Sequence, residues 1–119
     1  MSTFTQILYQ IVFSTKDRRE CLKQDNRREL FKYIHGILVE KNCHLYRING
    51  VSDHIHIVTH LHPTIALASL IKDIKLATSS HIKKHGLFSE FDGWQDGYGG
   101  FTYSIKDKNR LIEYVKNQE

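Results

Sequence analysis

The sequence has few of the features on which several protein classes depend. It contains two cysteines, Cys21 and Cys43, and one proline among 119 residues. The two cysteines have no C-x-x-C spacing, which argues against a disulfide framework or a cysteine-rich zinc site, and we expect two reduced thiols. The apolar runs fall far short of the roughly 20 residues of a membrane helix. The first residues lack the basic and apolar regions of a secretory signal, so we expect a cytoplasmic protein without a membrane segment.

The composition is that of an ordinary folded domain. Hydrophobic residues make up 40% and charged residues 25% of the chain, which excludes global disorder. No linker or repeat is visible, so residues 1–119 are predicted to form a single domain. The net charge of +4 suits a polyanionic partner without requiring one. Eight histidines are present, and histidine is the commonest metal ligand in proteins.

The spacing of apolar residues predicts seven secondary-structure elements. The predicted strands cover residues 7–13, 43–51, 54–60 and 101–104, and the predicted helices cover residues 25–42, about 64–82 and 108–118. We expect Asp25 and Thr64 to cap the first two helices. The order strand, helix, strand, strand, helix, strand, helix predicts an α+β fold with a ferredoxin-like or RRM-like antiparallel sheet and helices packed on one face. The other face would be left for partners.

A pair of histidines separated by one residue is the sharpest local feature. His54 and His56 lie in a predicted strand, where alternate side chains point to the same face. Two imidazoles that converge from one strand can chelate a divalent metal ion. The spacing alone also fits two surface or hydrogen-bonded histidines.

The last predicted helix carries Tyr114 and Gln118 four residues apart. Residues at this spacing lie on nearly the same stripe of a helix. By the same spacing, Leu111 and Val115 form the packing stripe, with Tyr114 at its edge. A tyrosine needs activation to act as a nucleophile, because its phenol has a pKa of about 10. Taken alone, Tyr114 also fits a half-buried packing residue.

Basic and aromatic residues offer two kinds of candidate contact with a nucleic acid, one to phosphates and one to bases. The basic candidates are Lys72, Lys75, Lys83 and Lys84 on the second helix and Lys16, Arg18 and Arg19 in the loop after the first strand. They could follow a phosphate backbone, although a solvated charged face is an equally good interpretation. In the glycine-rich segment at residues 86–100 and beside it, Trp94, Tyr98 and Phe101 could stack on unpaired bases or pack within the fold.

Four segments together resemble a known family. They are IVFSTK at 11–16, SDHIHI at 52–57, WQDGYGGF at 94–101 and YVKNQ at 114–118. In this order they resemble the small single-tyrosine HUH transposases of bacterial insertion sequences and their repeat-associated relatives. The resemblance extends over nearly the whole chain, from about Tyr9 to Gln118.

The resemblance implies a specific chemistry. His54, His56 and Gln118 would bind a divalent ion, Mg²⁺ or Mn²⁺, and Tyr114 would attack a DNA phosphate to form a 5′-phosphotyrosine link. The implied substrate is single-stranded DNA with hairpin ends. The implied assembly is a homodimer, in which the tyrosine helix of one subunit could serve the histidines of the other.

Two other functions fit the same residues. The protein could bind DNA hairpins without cutting them, as a catalytically impaired or domesticated relative, because Gln118 is the penultimate residue and a helix end holds a ligand weakly. It could instead be a metal-dependent nuclease that uses activated water and forms no covalent intermediate.

Overall fold

A four-stranded antiparallel sheet organises the chain in the computed structural model, which describes residues 7–118. The strands are β1 (Ile7–Ser14), β2 (Leu45–Gly50), β3 (His54–Thr59) and β4 (Gly99–Ser104), and the helices are α1 (Gln24–Glu40), α2 (Leu67–His85) and α3 (Lys108–Lys116). The strand order is β2-β3-β1-β4, and all neighbouring strands are antiparallel. This arrangement confirms the predicted α+β fold with a ferredoxin-like sheet. Between residues 7 and 118, no helix has the length and apolar character needed to cross a membrane.

Alternation along the strands sends apolar side chains to both faces of the sheet. Ile55 and Ile57 of β3 are fully buried in the larger core, which lies under α1 and α2. The main helical contributions to this core are Leu30, Ile34 and Leu38 from α1 and Leu70, Ile71 and Ile74 from α2. Because successive residues of a strand face opposite ways, the residues between these isoleucines must point away from α1 and α2. His56 and Val58 therefore face the other side of the sheet.

The third helix packs on that other side. Leu111 and Val115 of α3 form a second core with Leu8 of β1 and Val58 of β3. The prediction that the helices share one face holds for α1 and α2, whereas α3 covers part of the face that was expected to be left for partners. The apolar stripe of α3 was correctly predicted, but a stripe alone does not say which face of a sheet it will cover.

The two predicted helix caps are wrong. No side chain caps α1 or α2. Asp25 lies inside the first turn of α1, where its negative charge interacts favourably with the helix dipole. The Thr64 hydroxyl lies 2.8 Å from Nδ1 of His62, so it belongs to the turn before the helix, and α2 begins three residues later at Leu67.

Gly50 of β2 packs closely against the histidine strand, and Gly36 of α1 serves as the comparison in a test of that packing. A Cβ on Gly50 would lie 2.7 Å from the backbone oxygen of His54, whereas a Cβ on Gly36 in α1 would meet nothing within 4 Å. We expect Gly50→Ala to lower the free energy of unfolding by about 1–3 kcal/mol. Gly36→Ala should raise it by about 0.5–1 kcal/mol, because alanine favours the helix. Urea denaturation measures both changes, and a Gly50→Ala protein as stable as the wild type would contradict the expectation.

Candidate active site

The strand β3 and the helix α3 bring the predicted histidines and tyrosine together. The ring centroids of His54 and His56 are 5.0 Å apart. The ring of Tyr114 lies 6.4 Å from that of His56, centroid to centroid, with an angle of 80° between the ring planes. All three side chains come from one chain, although Tyr114 is separated from His56 by nearly half the sequence. Tyr114 is 53% exposed, which leaves room for a substrate to approach it.

His54 is oriented by a neighbouring carboxylate. Its Nδ1 lies 2.7 Å from Oδ1 of Asp53, and Oδ2 of Asp53 accepts a hydrogen bond of 3.1 Å from Nε of Arg18. Burial opposes ionisation of Asp53, but the hydrogen bonds from His54 and Arg18 outweigh it and lower the pKa of the carboxyl group. The ionised carboxylate accepts the Nδ1 hydrogen of His54 and so directs the ring's lone pair to Nε2.

His56 is oriented from the neighbouring strand. Nε2 of Gln10 lies 3.3 Å from Nδ1 of His56, and Oε1 of Gln10 accepts a hydrogen bond of 3.1 Å from the Tyr103 hydroxyl. His56 is only 7% exposed. Burial, and to a lesser degree the neighbouring His54, lowers the pKa of His56. Its imidazole is therefore neutral at pH 7, and a neutral imidazole is the form that binds metal ions.

A buried asparagine anchors the tyrosine helix to the sheet. Nδ2 of Asn49 donates to the carbonyl oxygens of Val115 and Lys116, at 3.1 and 3.0 Å, and Oδ1 accepts from the backbone N–H of Gly50. Asn49 also lies directly opposite His56 in the β2–β3 pairing. The same residue thus connects β2, the neighbour of the histidine strand, with the last turn of α3. We call this arrangement the Asn49 clamp.

Gln118 lies beyond the end of α3, because the helix ends at Lys116, two residues earlier than predicted. Its Nε2 donates to the backbone oxygen of Tyr114 at 3.3 Å. Among residues 7–118, no group of three or more histidine, cysteine, aspartate or glutamate side chains is arranged to hold a metal ion. A metal bound by the two histidines would therefore need its remaining ligands from other groups.

The predicted basic residues occupy different layers of the fold. Arg18 contacts Asp53 and so lies near the histidines, with Lys16 and Arg19 exposed in the same loop. Three predicted DNA contacts are exposed on α2, in the helical layer on the opposite side of the sheet from Tyr114; they are Lys72, Lys83 and Lys84.

Lys75 has a different environment. Its ammonium group donates to the carbonyl oxygens of Gln95 and Gly97, at 2.8 and 2.6 Å. Burial lowers the pKa of Lys75, and Asp96 opposes the shift. These contacts join α2 to the glycine-rich segment, which explains the position of Lys75 without a nucleic-acid partner.

Sequence reasoning missed three residues that orient the site. Gln10 and Asn49 are polar residues inside strands whose neighbours are apolar, and both are buried. Such residues need hydrogen-bond partners, so their presence was a signal that a polar contact exists. Asp53 directly precedes His54 and was assigned only to a turn.

Comparison with known proteins identifies the family. The chain matches the family described as "Transposase IS200 like" over residues 3–118, which is nearly its whole length. The chain belongs to the IS200-like transposase family. This confirms the resemblance drawn from the four sequence segments, and it makes the chain a member of a family of DNA transposases.

Individual relatives agree with this assignment. The chain is 24% identical over 115 residues to the transposase for insertion sequence element IS200 of Salmonella typhimurium and to that of Salmonella typhi, covering 92% of this chain and 75% of each relative. A crystal structure assigned as a transposase of Deinococcus radiodurans superposes with a TM-score of 0.76 at 18% identity, covering all of this chain and 95% of the other. A REP-associated tyrosine transposase bound to a REP hairpin superposes with a TM-score of 0.67 at 16% identity, covering 97% and 70%. These two similarities support the fold.

Proposed function

We propose that this protein is a metal-dependent transposase that cleaves and rejoins single-stranded DNA at the ends of a mobile element. Tyr114 is the nucleophile. Its hydroxyl oxygen bonds to phosphorus while the bond from phosphorus to the 3′-oxygen breaks. The products are a 5′-phosphotyrosine and a free 3′-hydroxyl, so the proton that the phenol loses balances the one that the 3′-oxygen gains. Attack by a different 3′-hydroxyl reverses the step and joins new ends.

The observation that carries this proposal is the position of Tyr114 beside the histidine pair. An exposed phenol whose ring centroid lies 6.4 Å from a buried, neutral imidazole can share a phosphate group with it. A tyrosine that only packed against the sheet would not need this neighbour, and the packing stripe of α3 already contains Leu111 and Val115.

The histidines fit the binding of one divalent ion, Mg²⁺ or Mn²⁺. Two imidazoles that share an ion through Nε2 place their ring centroids about 4.5–5.5 Å apart, because a metal–nitrogen bond is about 2.1 Å. The observed separation of 5.0 Å lies in this range. Ligation through Nε2 of His56 requires a hydrogen on Nδ1, so the Gln10 amide would turn over from the orientation in the structure and present its oxygen, in place of Nε2, to His56. The amide oxygen of Gln118 is the proposed third protein ligand.

The bound ion would polarise the scissile phosphate and stabilise the negative charge on the leaving oxygen. Manganese should substitute well for magnesium, because imidazole ligands suit it better. The protein residues hold the ligands in place: Asp53 orients His54, and Gln10 orients His56. Arg18 pairs with Asp53 through Nε, and its other guanidinium N–H groups would be available to a DNA phosphate.

The proposed substrate is single-stranded DNA with a hairpin end. A structurally similar protein was solved as a REP-associated tyrosine transposase bound to a REP hairpin. The proposed phosphate contacts of this chain are exposed basic residues, namely Lys16, Arg18, Arg19, Lys72, Lys83 and Lys84. We further propose a homodimer, because β2 and β4 are the outer strands of the sheet and an edge strand can pair with a second copy. Sedimentation of the protein with and without DNA tests this assembly.

The decisive experiment is a search for a covalent adduct. The protein is incubated with Mn²⁺ and single-stranded DNA that carries the palindromes flanking its gene, and the products are separated under denaturing conditions. We expect a protein–DNA adduct whose phosphate is linked to Tyr114 by peptide mapping. Cleavage without an adduct would support the nuclease that uses activated water, and hairpin binding without cleavage would support the DNA-binding alternative.

Loss of the Asp53 carboxylate should weaken metal binding. Asp53→Ala removes the group that orients His54, and loss of such a hydrogen bond typically costs about 10- to 100-fold in metal affinity. Isothermal titration with Mn²⁺ measures the change. Asp92→Ala is the matched control. The Asp92 carboxylate is exposed, and its ion pair with Nζ of Lys16 is long, at 3.9 Å. Equal Mn²⁺ affinities of the Asp53→Ala and wild-type proteins would contradict the role of Asp53.

A further inference from the structure

A pocket of about 460 Å³ opens beside Tyr114 and His56 on the face of the sheet that carries α3. Its other walls include Phe101 from β4, Asp107 from the turn before α3, and Arg110 from α3. We propose that this pocket receives one unpaired nucleobase of the strand that Tyr114 attacks. The inference rests on the proposed function, and it adds a base-binding subsite to it.

The volume and position of the pocket suit a single base. Small-molecule sites in proteins measure about 300–1,000 Å³, and this pocket lies at the low end of that range. Stacked bases in a duplex cannot enter such a space, whereas a base of a single strand can turn into it. Because the pocket borders Tyr114, its occupant would belong to a nucleotide next to the cleaved phosphate.

Phe101 supplies the stacking surface. It is 53% exposed, which is unusual for an aromatic side chain without a polar group. In the β1–β4 pairing Phe101 lies opposite Gln10, so it shares the face of the sheet with His56. One edge of its ring lies over Gly99, where a Cβ would be 3.3 Å from Cε2. The rest of the ring borders the pocket, as expected for an aromatic residue that stacks on a base.

The polar residues of the pocket divide into two groups. The Gln10 amide is already used by His56 and Tyr103. Asp107 and Arg110 instead form an ion pair with each other, with Oδ1 of Asp107 2.7 Å from Nη2 of Arg110. This pair leaves a carboxylate oxygen and several guanidinium N–H groups for the edge of a base. Pairing also neutralises the charge of Asp107, which would otherwise repel the DNA backbone.

The experiment combines a protein change with a substrate change. The probe is the single-stranded DNA with flanking palindromes, in versions where each unpaired nucleotide beside the palindromes is in turn abasic. Dissociation constants and rates of adduct formation are measured for the wild-type protein and for Phe101→Ala. We expect one abasic position to weaken wild-type binding by about 5- to 100-fold. The same abasic position should change the affinity of Phe101→Ala by less than about 2-fold, because the stacking partner is already absent.

Two controls separate stacking from structure. Phe101→Leu keeps an apolar group over Gly99 but has no ring, so it should behave as Phe101→Ala does. Val39→Ala removes an exposed apolar side chain of α1, 59% exposed, that does not line this pocket, and it should keep the full abasic effect. The pocket proposal is overturned if, at every abasic position, the factor by which the dissociation constant rises is the same in Phe101→Ala as in the wild-type protein. Failure of the proposed function would look different, because wild-type protein would then form no adduct while the affinity measurements still decide on the pocket.

Discussion

Replacing Tyr114 by phenylalanine is expected to abolish the covalent protein–DNA adduct. The substitution removes only the hydroxyl oxygen, which is the atom that forms the bond to phosphorus. Loss of a nucleophile typically lowers the rate by at least about 1,000-fold, since the remaining groups cannot replace it. The fold should be unaffected, because the Tyr114 ring is half exposed and the buried stripe of α3 is unchanged. Adduct formation is measured on denaturing gels with Mn²⁺ and the hairpin DNA.

Binding measurements distinguish a lost nucleophile from a lost site. Tyr114→Phe should bind hairpin DNA within about twofold of the wild-type affinity, because phenylalanine retains the apolar contacts of the ring. Tyr98→Phe is the matched control, since it removes a hydroxyl from another exposed tyrosine and should form the adduct at the normal rate. An adduct that persists in Tyr114→Phe would show that another residue attacks the DNA.

The second large effect is expected from the Asn49 clamp. Asn49→Ala removes two hydrogen bonds to the carbonyl oxygens of Val115 and Lys116. Each such bond is worth about 0.5–1.5 kcal/mol, so the free energy of unfolding should fall by about 1–3 kcal/mol. The last turn of α3 would then lose its attachment to β2, and Tyr114 would no longer be held above His56. A displacement of about 1 Å can lower a rate by about 100-fold, and we expect adduct formation to slow to that extent.

The measurements for Asn49→Ala are urea denaturation and the rate of adduct formation at a temperature where the variant is fully folded. Asn109→Ala is the matched control, because Asn109 is exposed in the first turn of α3 and should change neither quantity beyond the ordinary range for surface sites. If a fully folded Asn49→Ala protein formed the adduct at the wild-type rate, the clamp would have no part in placing Tyr114.

The elements that sequence patterns predicted correctly are those with strong local signals. The strand of His54 and His56 is rich in β-branched residues, and the alternation from His54 to Ile57 also predicted that both imidazoles share a face. The stripe of Leu111 and Val115 likewise predicted which side of α3 would be buried. In both cases the period of the backbone fixes the direction of each side chain before any tertiary contact forms.

The features that escaped prediction depend on contacts between distant segments. Asn49 reaches the backbone of residues more than 60 positions away, and its partners are carbonyl oxygens, which no side-chain pattern reveals. The side of the sheet that α3 covers depends on Leu8 and Val58, which are apolar residues on the face that was expected to stay open. The Thr64 cap was wrong because its hydroxyl forms a local hydrogen bond with Nδ1 of His62 instead.

The Asn49 clamp holds the main chain of α3, and this has a consequence for the side chains. Since the accepting groups are carbonyl oxygens, the identities of the residues at positions 115 and 116 do not affect these two hydrogen bonds. The clamp therefore fixes the end of the helix through the backbone alone. Leu111 and Val115 add a second restraint on the rotation of the helix about its axis, because they pack against Leu8 and Val58. A change in the bulk of these four residues would turn the phenol toward or away from the histidines while leaving the attachment point intact.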